Sequence, residues 1–241
     1  MAARSTPKER KAAPDSRSVL LDVFERLFGR YGPQHWWPGE TPFEVMVGAV
    51  LTQAAAWSNV EKAMANLKAA DALSAAAIRE LPQEELARLL FPSGYYNAKA
   101  RKLKALAEFL ERYDDDIEAL AAVDDGVLRK ELLEVHGIGE ETADDILLYA
   151  VGKPVFVIDE YTRRVFYRLG VAPERGSYSQ YQTLFADNLS ADPERFGEYH
   201  ALIVAHAVRV CKKRQPQCEE CCLLDMCPAG ENVVSGRGSA S

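Results

Sequence analysis

Hydrophobic residues recur at helical spacing along most of the chain. In residues 18–30 the apolar positions fall three or four apart, which predicts an amphipathic helix. The same spacing returns in 58–67, 98–113, 127–135, 161–169, 178–189 and 196–211. Residues 42–51 are apolar almost throughout, so we expect a buried helix there with Thr41 as its N-cap. Only the short run 155–158 is compatible with a strand, and the predicted fold class is therefore all-α.

The two ends of the chain differ in composition from the rest. Residues 1–15 are small, polar and contain proline, and residues 229–241 are rich in glycine and serine, so both are predicted to be disordered tails. The first residues lack the apolar core of a signal peptide, and no apolar run approaches the length of a membrane span. We therefore expect a cytoplasmic protein with no membrane partner.

The composition suits one large or two small globular units, because 48% of the 241 residues are hydrophobic and 27% are charged. The net charge of −7 argues mildly against a nucleic-acid partner. A whole-chain sum says little about one face, however. Basic residues do gather locally on the predicted helix 98–113, opposite its leucines: Lys99, Arg101, Lys102 and Lys104.

A glycine turn, His136-Gly137-Ile138-Gly139, joins two predicted helices. Such a turn needs glycine where the backbone adopts positive φ, and its amides together with the next helix N-terminus suit an anion such as a phosphate. A plain helix hairpin with a glycine stop explains the same pattern. Downstream, Asp159 follows a buried run and opens a helix, so it is a candidate N-cap as well as a candidate catalytic carboxylate.

The cysteines give the most specific pattern of the chain. Four of the five follow the spacing C-x6-C-x2-C-x5-C: Cys211, Cys218, Cys221 and Cys227. Clustered thiols in a cytosolic chain indicate a metal site. A single CxxC without histidine favours an iron–sulfur cluster over structural zinc, which is the second interpretation. The loop after the first cysteine, Lys212-Lys213-Arg214, places three cations where they suit phosphate contacts.

Hairpin, aspartate and cysteine loop, in this order, resemble the endonuclease III-like branch of the helix-hairpin-helix DNA glycosylases, over about residues 19–227. The resemblance implies two α-helical domains with damaged double-stranded DNA in the groove between them. A helix in residues 16–34 would pack with an iron–sulfur domain at 151–228, and residues 35–150 would form a six-helix domain. It also implies one 4Fe–4S cluster on the four cysteines, a monovalent cation at the hairpin and a monomeric protein.

The resemblance assigns roles to single residues. Asp159 is the expected catalytic aspartate, and the hairpin residues His136 to Gly139 are expected to hold the DNA backbone. Gln53 corresponds to the side chain that fills the space left by a flipped base. Tyr95 corresponds to a wedge inserted opposite, although a packed loop aromatic is an equal alternative.

Glu141 departs from endonuclease III itself. The bifunctional members carry a lysine at this hairpin position, and a lysine amine attacks C1′ to form a Schiff base. A carboxylate cannot do this, so the sequence predicts a monofunctional glycosylase that leaves an abasic site. Lys153 is the nearest lysine before Asp159, and nothing in the sequence marks it as a substitute.

Residues 35–53 and the hairpin resemble the 3-methyladenine glycosylase branch more closely. In that branch two aromatics sandwich the flipped base, and Trp36 and Trp57 match them. Aromatic faces attract cationic bases by about 0.5–2 kcal/mol per contact. Members of that branch often lack the iron–sulfur loop, so an enzyme for oxidised pyrimidines stays open, as does a non-catalytic binder of damaged DNA. The acids of the second hairpin helix are the least expected feature: Glu140, Glu141, Asp144 and Asp145.

Overall fold

The computed structural model describes residues 15–236, and this range is helical without a β-strand, which confirms the all-α prediction. The α-helices are α1 (Ser16–Tyr31), α2 (Pro42–Leu51), α3 (Trp57–Ala69), α4 (Ala75–Glu80), α5 (Gln83–Leu89), α6 (Tyr96–Glu111), α7 (Ile117–Ala121), α8 (Asp125–Glu134), α9 (Glu140–Asp145), α10 (Glu160–Arg168), α11 (Tyr178–Ala186), α12 (Pro193–Arg209) and α13 (Pro228–Val234). A π-helical turn, Ile146–Ala150, continues α9. Within the described range no helix is both long and apolar enough to cross a membrane.

Local sequence explains where most of these helices begin. A side-chain oxygen accepts an amide of the first turn at these N-caps: Asp15, Thr41, Ser74, Asp116, Asp124, Asp159, Ser177 and Asp192. Each such cap stabilises its helix by about 1 kcal/mol. The hydrophobic pattern therefore locates the helices, and the short polar residues before them set their first residues.

The first core lies between residues 46 and 147, where α2 packs against α6 and α9, and α6 packs against α4 and α5. Residues 42–145 contain eight α-helical segments, α2 to α9, where six helices were expected. Pro82 separates α4 from α5, and Asp116 caps the additional short helix α7. The range expected to form a six-helix domain therefore contains more helices than expected, and several of them are short.

The second core unites the start of the described chain with its later part. Leu20, Val23 and Leu27 of α1 are fully buried against α10, α11 and α12. Phe156 and Phe185 stack at its centre with ring centroids 3.7 Å apart. Leu147 belongs to the first core and Leu148 to the second, so the boundary between the two cores falls inside the π-helical turn. Side chains from both cores therefore meet around this turn.

The tail predicted for 229–241 is wrong for its first part, because residues 228–234 form α13. Pro228 occupies the first turn, where its missing amide costs nothing, and the Cys227 sulfur accepts the Gly230 amide at 3.3 Å. Gly230 is buried against Leu224 and Cys227. Residues 237–241, and residues 1–14 of the other predicted tail, lie outside the described range.

Candidate active site and cysteine cavity

The glycine turn joins α8 to α9 as a tight hairpin. Gly137 has φ +81°, and a Cβ there would lie 2.4 Å from the Cγ of Lys102. Ile138 is buried in the first core, and its amide donates to Val135 O at 3.1 Å. Gly139 is extended (φ −97°) and precedes the first turn of α9, whose amides have no intrahelical acceptor. The exposed side of the turn therefore presents backbone, as a phosphate contact requires.

Gln53 is bound to the hairpin rather than free at the surface. Its amide nitrogen donates to Thr142 Oγ1 at 2.8 Å and to Gly137 O at 3.2 Å. Its carbonyl oxygen accepts a hydrogen bond from Lys102 Nζ. The Gln53 side chain therefore connects the loop after α2 to the hairpin and to α6. Gln53 and Gly137 are 84 residues apart in sequence.

Tyr95 stands on the surface with 74% of its area exposed, in left-handed backbone conformation (φ 45°). Beneath it, the Lys99 ammonium donates to Ser93 O at 2.7 Å and to Leu51 O at 2.8 Å. Burial lowers the pKa of Lys99 to about 8. Lys99 thus ties the loop carrying Tyr95 to the end of α2, just before Gln53.

The basic face expected on α6 is mostly turned into the protein. Lys99 is 2% exposed, and Lys104 donates to the carbonyls of Ile78 and Arg79 at 3.0 and 2.9 Å. Arg101 stays exposed. These long side chains satisfy helix-end carbonyls of neighbouring elements, so they stabilise the fold instead of forming a DNA-facing stripe.

Two of the four acids of α9 also turn inward. Asp144 is fully buried. Its carboxylate accepts hydrogen bonds from Arg129 at 2.7 and 3.0 Å and from Gln182 at 2.8 Å. Asp145 is buried, and burial raises its pKa well above the ordinary value, which favours its uncharged form. Glu140 stays outside, 3.8 Å from Arg129. The acidic sequence of this helix therefore does not produce an equally acidic surface.

Asp159 caps α10 and also lies in the candidate active site. Its Oδ1 accepts the Thr162 amide at 2.6 Å, and its Oδ2 lies 3.5 Å from His200 Nε2. Burial raises its pKa, but His200 and the Thr162 amide outweigh burial, and the net shift is downward. The carboxylate is 8% exposed and nevertheless stays ionised. Such a group is suited to stabilising developing positive charge or to orienting water.

Glu141 behaves differently from Asp159. Its side chain keeps more than a third of its area exposed, yet its pKa is raised, first by desolvation and then by repulsion from Asp159. Two neighbouring carboxyl groups therefore have their pKa values shifted in opposite directions, a pattern typical of sites that divide acid and base roles.

His200 is the residue of this site that the sequence did not single out. It is buried, and its Nδ1 lies 2.7 Å from the Tyr149 hydroxyl, which also donates to Gly197 O at 3.1 Å. Desolvation lowers the pKa of His200, but Asp159, Asp145 and Glu141 together raise it above the usual value.

Three tryptophans form one aromatic cluster beside Tyr149. Trp36 and Trp57 have ring centroids 5.0 Å apart at 56°, whereas a base between two rings needs about 7 Å. Trp37, absent from the predicted pocket, contacts Trp36 at 5.2 Å, Trp57 at 5.7 Å and Tyr149 at 5.5 Å. The structure thus brings the two predicted residues together, but in direct contact, and adds a third ring that reaches toward His200.

The four cysteines of the spaced motif line one cavity: Cys211, Cys218, Cys221 and Cys227. Thiolate sulfurs are ligands of zinc and of iron–sulfur clusters, so the lining of this cavity fits either group. N–H groups of Arg168, Leu223 and Gly230 lie 3.3–3.4 Å from three of these sulfurs, as expected around cluster ligands.

The basic loop after the first cysteine is exposed and close to α10. Lys212, Lys213 and Arg214 keep their side chains in solvent, and Lys213 Nζ lies 2.6 Å from Glu160 Oε1. Arg168 fixes this loop by donating to Lys212 O at 2.8 Å. The loop is therefore held beside the helix that Asp159 begins.

Comparison with known proteins agrees with this geometry. A profile described as "HhH-GPD superfamily base excision DNA repair protein" matches residues 47–190. A putative DNA repair glycosylase of Methanocaldococcus jannaschii is 42% identical over 211 residues, covering 87% of this chain and 96% of the relative. The endonuclease III of Treponema pallidum is 30% identical over 220 residues, covering 88% and 96%.

Two solved structures extend the comparison. The H. pylori 3-methyladenine DNA glycosylase, bound to 1,N6-ethenoadenine, superposes with a TM-score of 0.69 at 30% identity, covering 81% of this chain and 98% of that one. A trapped endonuclease III–DNA intermediate superposes with a TM-score of 0.77 at 23% identity, covering 92% and 100%, and this likeness concerns the fold alone.

The chain therefore belongs to the HhH-GPD superfamily of base excision DNA repair proteins. It has the endonuclease III-like fold, and within the superfamily it is a DNA glycosylase, which confirms the resemblance drawn from its hairpin, aspartate and cysteine loop.

Proposed function

We propose that this glycosylase binds damaged double-stranded DNA, flips an alkylated purine such as 3-methyladenine out of the stack and removes it by hydrolysis. The observation that carries the proposal is a pair of carboxyl groups, Glu141 and Asp159, in a site that also holds an aromatic cluster. The H. pylori relative, a 3-methyladenine glycosylase, supports the same substrate class. The protein acts as a monomer in the cytoplasm, associated with DNA.

Asp159 supplies the charge that the reaction needs. Cleavage of an N-glycosyl bond builds positive charge on the sugar, and an ionised carboxylate in a partly dry site stabilises it. The same carboxylate orients the attacking water. Desolvation and the nearby Asp159 carboxylate raise the pKa of Glu141, so Asp159 is the better suited of the two carboxyl groups to stabilise positive charge.

The hairpin and the surrounding loops hold the DNA. Residues 136–139 contact a phosphate through backbone amides, with a monovalent cation at the turn, and the loop Lys212 to Arg214 contacts a second stretch of backbone. Tyr95 enters the duplex beside the flipped base. Gln53 occupies the vacated space, which compensates for part of the lost stacking.

The tryptophan cluster selects the base. N-alkylated purines carry positive charge, and tryptophan faces attract cations more strongly than other aromatic side chains do. A base between Trp36 and Trp57 requires the two rings to separate from their 5.0 Å contact. The positive charge also makes these bases good leaving groups, so no strong general acid is needed.

The cavity of the four cysteines holds one 4Fe–4S cluster. Cys211, Cys218, Cys221 and Cys227 are the ligands, and the cluster fixes the loop that carries the basic residues. A broad visible absorption band of the purified protein tests this directly, because zinc is colourless. Cys218→Ser should remove most of the band; a colourless wild-type protein with bound zinc would contradict it.

Excision assays test the substrate class. Duplexes containing 3-methyladenine or thymine glycol are incubated with the protein and then treated with hot alkali, which cleaves abasic sites. Release of methyladenine supports the proposal. Excision of thymine glycol alone supports the second candidate below, and shifted but uncut DNA indicates a binder without activity.

Borohydride trapping tests the absence of lyase chemistry. A lysine that attacks C1′ displaces the base and forms an imine, which borohydride reduces to a stable covalent bond. Lys153 is bound to the carbonyls of Ala121 and Val123 at 2.9 and 2.8 Å, and Lys213 is paired with Glu160. We expect no trapped product from the wild type, trapping by Glu141→Lys, and none by the matched Glu141→Gln.

A second candidate function is removal of oxidised pyrimidines. The cysteine cavity favours it, as does the similarity to the endonuclease III of Treponema pallidum. The thymine-glycol arm of the assay separates it from the first proposal.

A further inference from the structure

His200 connects the aromatic cluster to the catalytic carboxylate. One side of its ring faces the Tyr149 hydroxyl at 2.7 Å, and the other faces Asp159 Oδ2 at 3.5 Å. Tyr149 in turn packs against Trp37 at 5.5 Å. The ring is 5% exposed, so these neighbours and not solvent set its state.

The contacts around His200 are compatible with a charged ring. The Tyr149 hydroxyl lies 2.7 Å from Nδ1 and 3.1 Å from Gly197 O, so it can accept from Nδ1 while it donates to the carbonyl. On the other side of the ring, Nε2 makes no hydrogen bond, but it forms an ion pair with Asp159 Oδ2 at 3.5 Å when the ring is protonated. An imidazolium attracts this carboxylate more strongly than a neutral ring does.

The charged groups around the ring agree with this assignment. Asp159 faces it from the start of α10, Asp145 and Glu141 from α9, and Tyr149 from the π-helical turn. Asp145 is buried, and one of its carboxyl oxygens lacks a partner within the described chain. Asp159 contributes more to the raised pKa of His200 than Asp145 and Glu141 do, so it is the principal counter-ion of the ring.

We propose that His200 is a positioning residue: as an imidazolium held by Tyr149, it keeps the Asp159 carboxylate ionised and oriented in a buried site. This inference rests on the proposed catalytic role of Asp159. His200 does not touch substrate. It acts through Asp159, whose other oxygen is fixed by the Thr162 amide, so that the carboxylate is held from two sides.

The protonation state is measured by NMR of the full chain with ¹⁵N-labelled histidine. The chain has four histidines, and His200→Gln identifies the signal of His200. We expect two protonated ring nitrogens at pH 6 and a titration above pH 6.5, and Asp159→Asn should move that titration to lower pH. A neutral ring at pH 6, or a titration unaffected by Asp159→Asn, would overturn the assignment.

A matched pair of tyrosine variants tests the positioning role. Tyr149→Phe and Tyr199→Phe each remove one buried hydroxyl; that of Tyr199, the residue before His200, donates to Leu20 O at 2.7 Å in the second core. In single-turnover excision of 3-methyladenine, Tyr149→Phe should be about 10-fold slower and shift the pH profile, while Tyr199→Phe stays within about two-fold. His200→Gln should be slower by about 100-fold, the low end of what a positioned acid–base group contributes.

The DNA dissociation constant separates positioning from binding, and it should change less than about three-fold in these variants, since each acts through Asp159. Equal rates for Tyr149→Phe and Tyr199→Phe, or an unchanged rate and pH profile for His200→Gln, would refute the positioning role. If the wild type releases no base at all, the proposed function fails, whereas the NMR titration still decides whether His200 is an imidazolium.

Discussion

His200 and His206 are buried on the same helix, α12, less than two turns apart, so the effects of their surroundings can be compared directly. Both are at most 5% exposed, and both have Nδ1 bonded to a tyrosine hydroxyl, Tyr149 at 2.7 Å and Tyr31 at 3.0 Å. They differ at Nε2. That of His200 faces the Asp159 carboxylate at 3.5 Å, and that of His206 faces the Cys221 sulfur at 3.6 Å.

This one difference reverses the pKa shift. Burial lowers the pKa of His206 to about 4, whereas the carboxylates around His200 outweigh burial and raise its pKa. Burial alone therefore does not set the charge of a histidine; the group beyond its second nitrogen does. On the proposal above, the candidate active site holds a cation that keeps a carboxylate ionised, whereas burial favours a neutral His206 ring beside Cys221.

The largest effect is expected from Asp159→Asn, which makes the surroundings of His200 resemble those of His206. Asparagine keeps the oxygen that caps α10 but lacks the charge, so excision of 3-methyladenine should fall by about 10³-fold. The pKa of His200 should fall below 6.5 at the same time. Single-turnover kinetics and histidine NMR measure the two results, with DNA binding within a few-fold as the control. Retained excision would remove Asp159 from the catalytic role.

A smaller effect concerns acid stability. The folded pKa of His206 is below its unfolded value, so the unfolded chain binds more protons and this histidine destabilises the fold as the pH drops from 6.5 toward 4. At pH 5 the loss is about 2 kcal/mol relative to pH 7. Urea unfolding at both pH values should show a smaller loss for His206→Gln than for the wild type. An identical loss in both proteins would contradict the comparison.

His200 should show the opposite sign. Its folded pKa is raised, so its contribution is present below pH 6.5 and is lost as the pH rises through the folded pKa. His200→Gln should therefore reduce stability more at pH 6 than at pH 9, measured by the same urea titrations. A larger loss at pH 9 would show that the ring is not a cation in the folded protein.

The smallest effect is expected from Tyr31→Phe. It removes a single hydrogen bond to a neutral ring and should lower the free energy of unfolding by about 1 kcal/mol. Excision should stay within about two-fold of the wild type, in contrast to Tyr149→Phe. A comparable loss of excision in both variants would show that the two histidines do not differ in function.

Local sequence was enough to predict the longer helices, the hairpin and the cysteine motif, but not the short helices α7 and α13. These features depend on spacing within a few turns of chain, as in the capping of α10 by Asp159. The role of His200 could not be predicted, since its partners Asp159 and Tyr149 are 41 and 51 positions away and no local spacing indicates them.

The burial of charged side chains was the other feature that local sequence could not predict. Lys99 occupies the polar side of an amphipathic helix, and only the tertiary fold brings Leu51 O and Ser93 O to its ammonium. Asp144 is likewise buried because Arg129 on the preceding helix reaches it. In both cases a remote partner reverses the exposure that periodicity predicts. The same holds for Trp37, whose place in the cluster depends on Tyr149.

The position of α1 has a consequence for how the protein is made. Its apolar residues complete the second core, and Arg26 bonds to Asp225 across 199 positions of sequence. On a ribosome α1 emerges before residues 46–147, which share a core of their own, and its partners in α12 and the cysteine loop emerge after them. The first core can therefore fold during synthesis before α1 meets its partners, and the second core is completed only when the cysteine loop has been made.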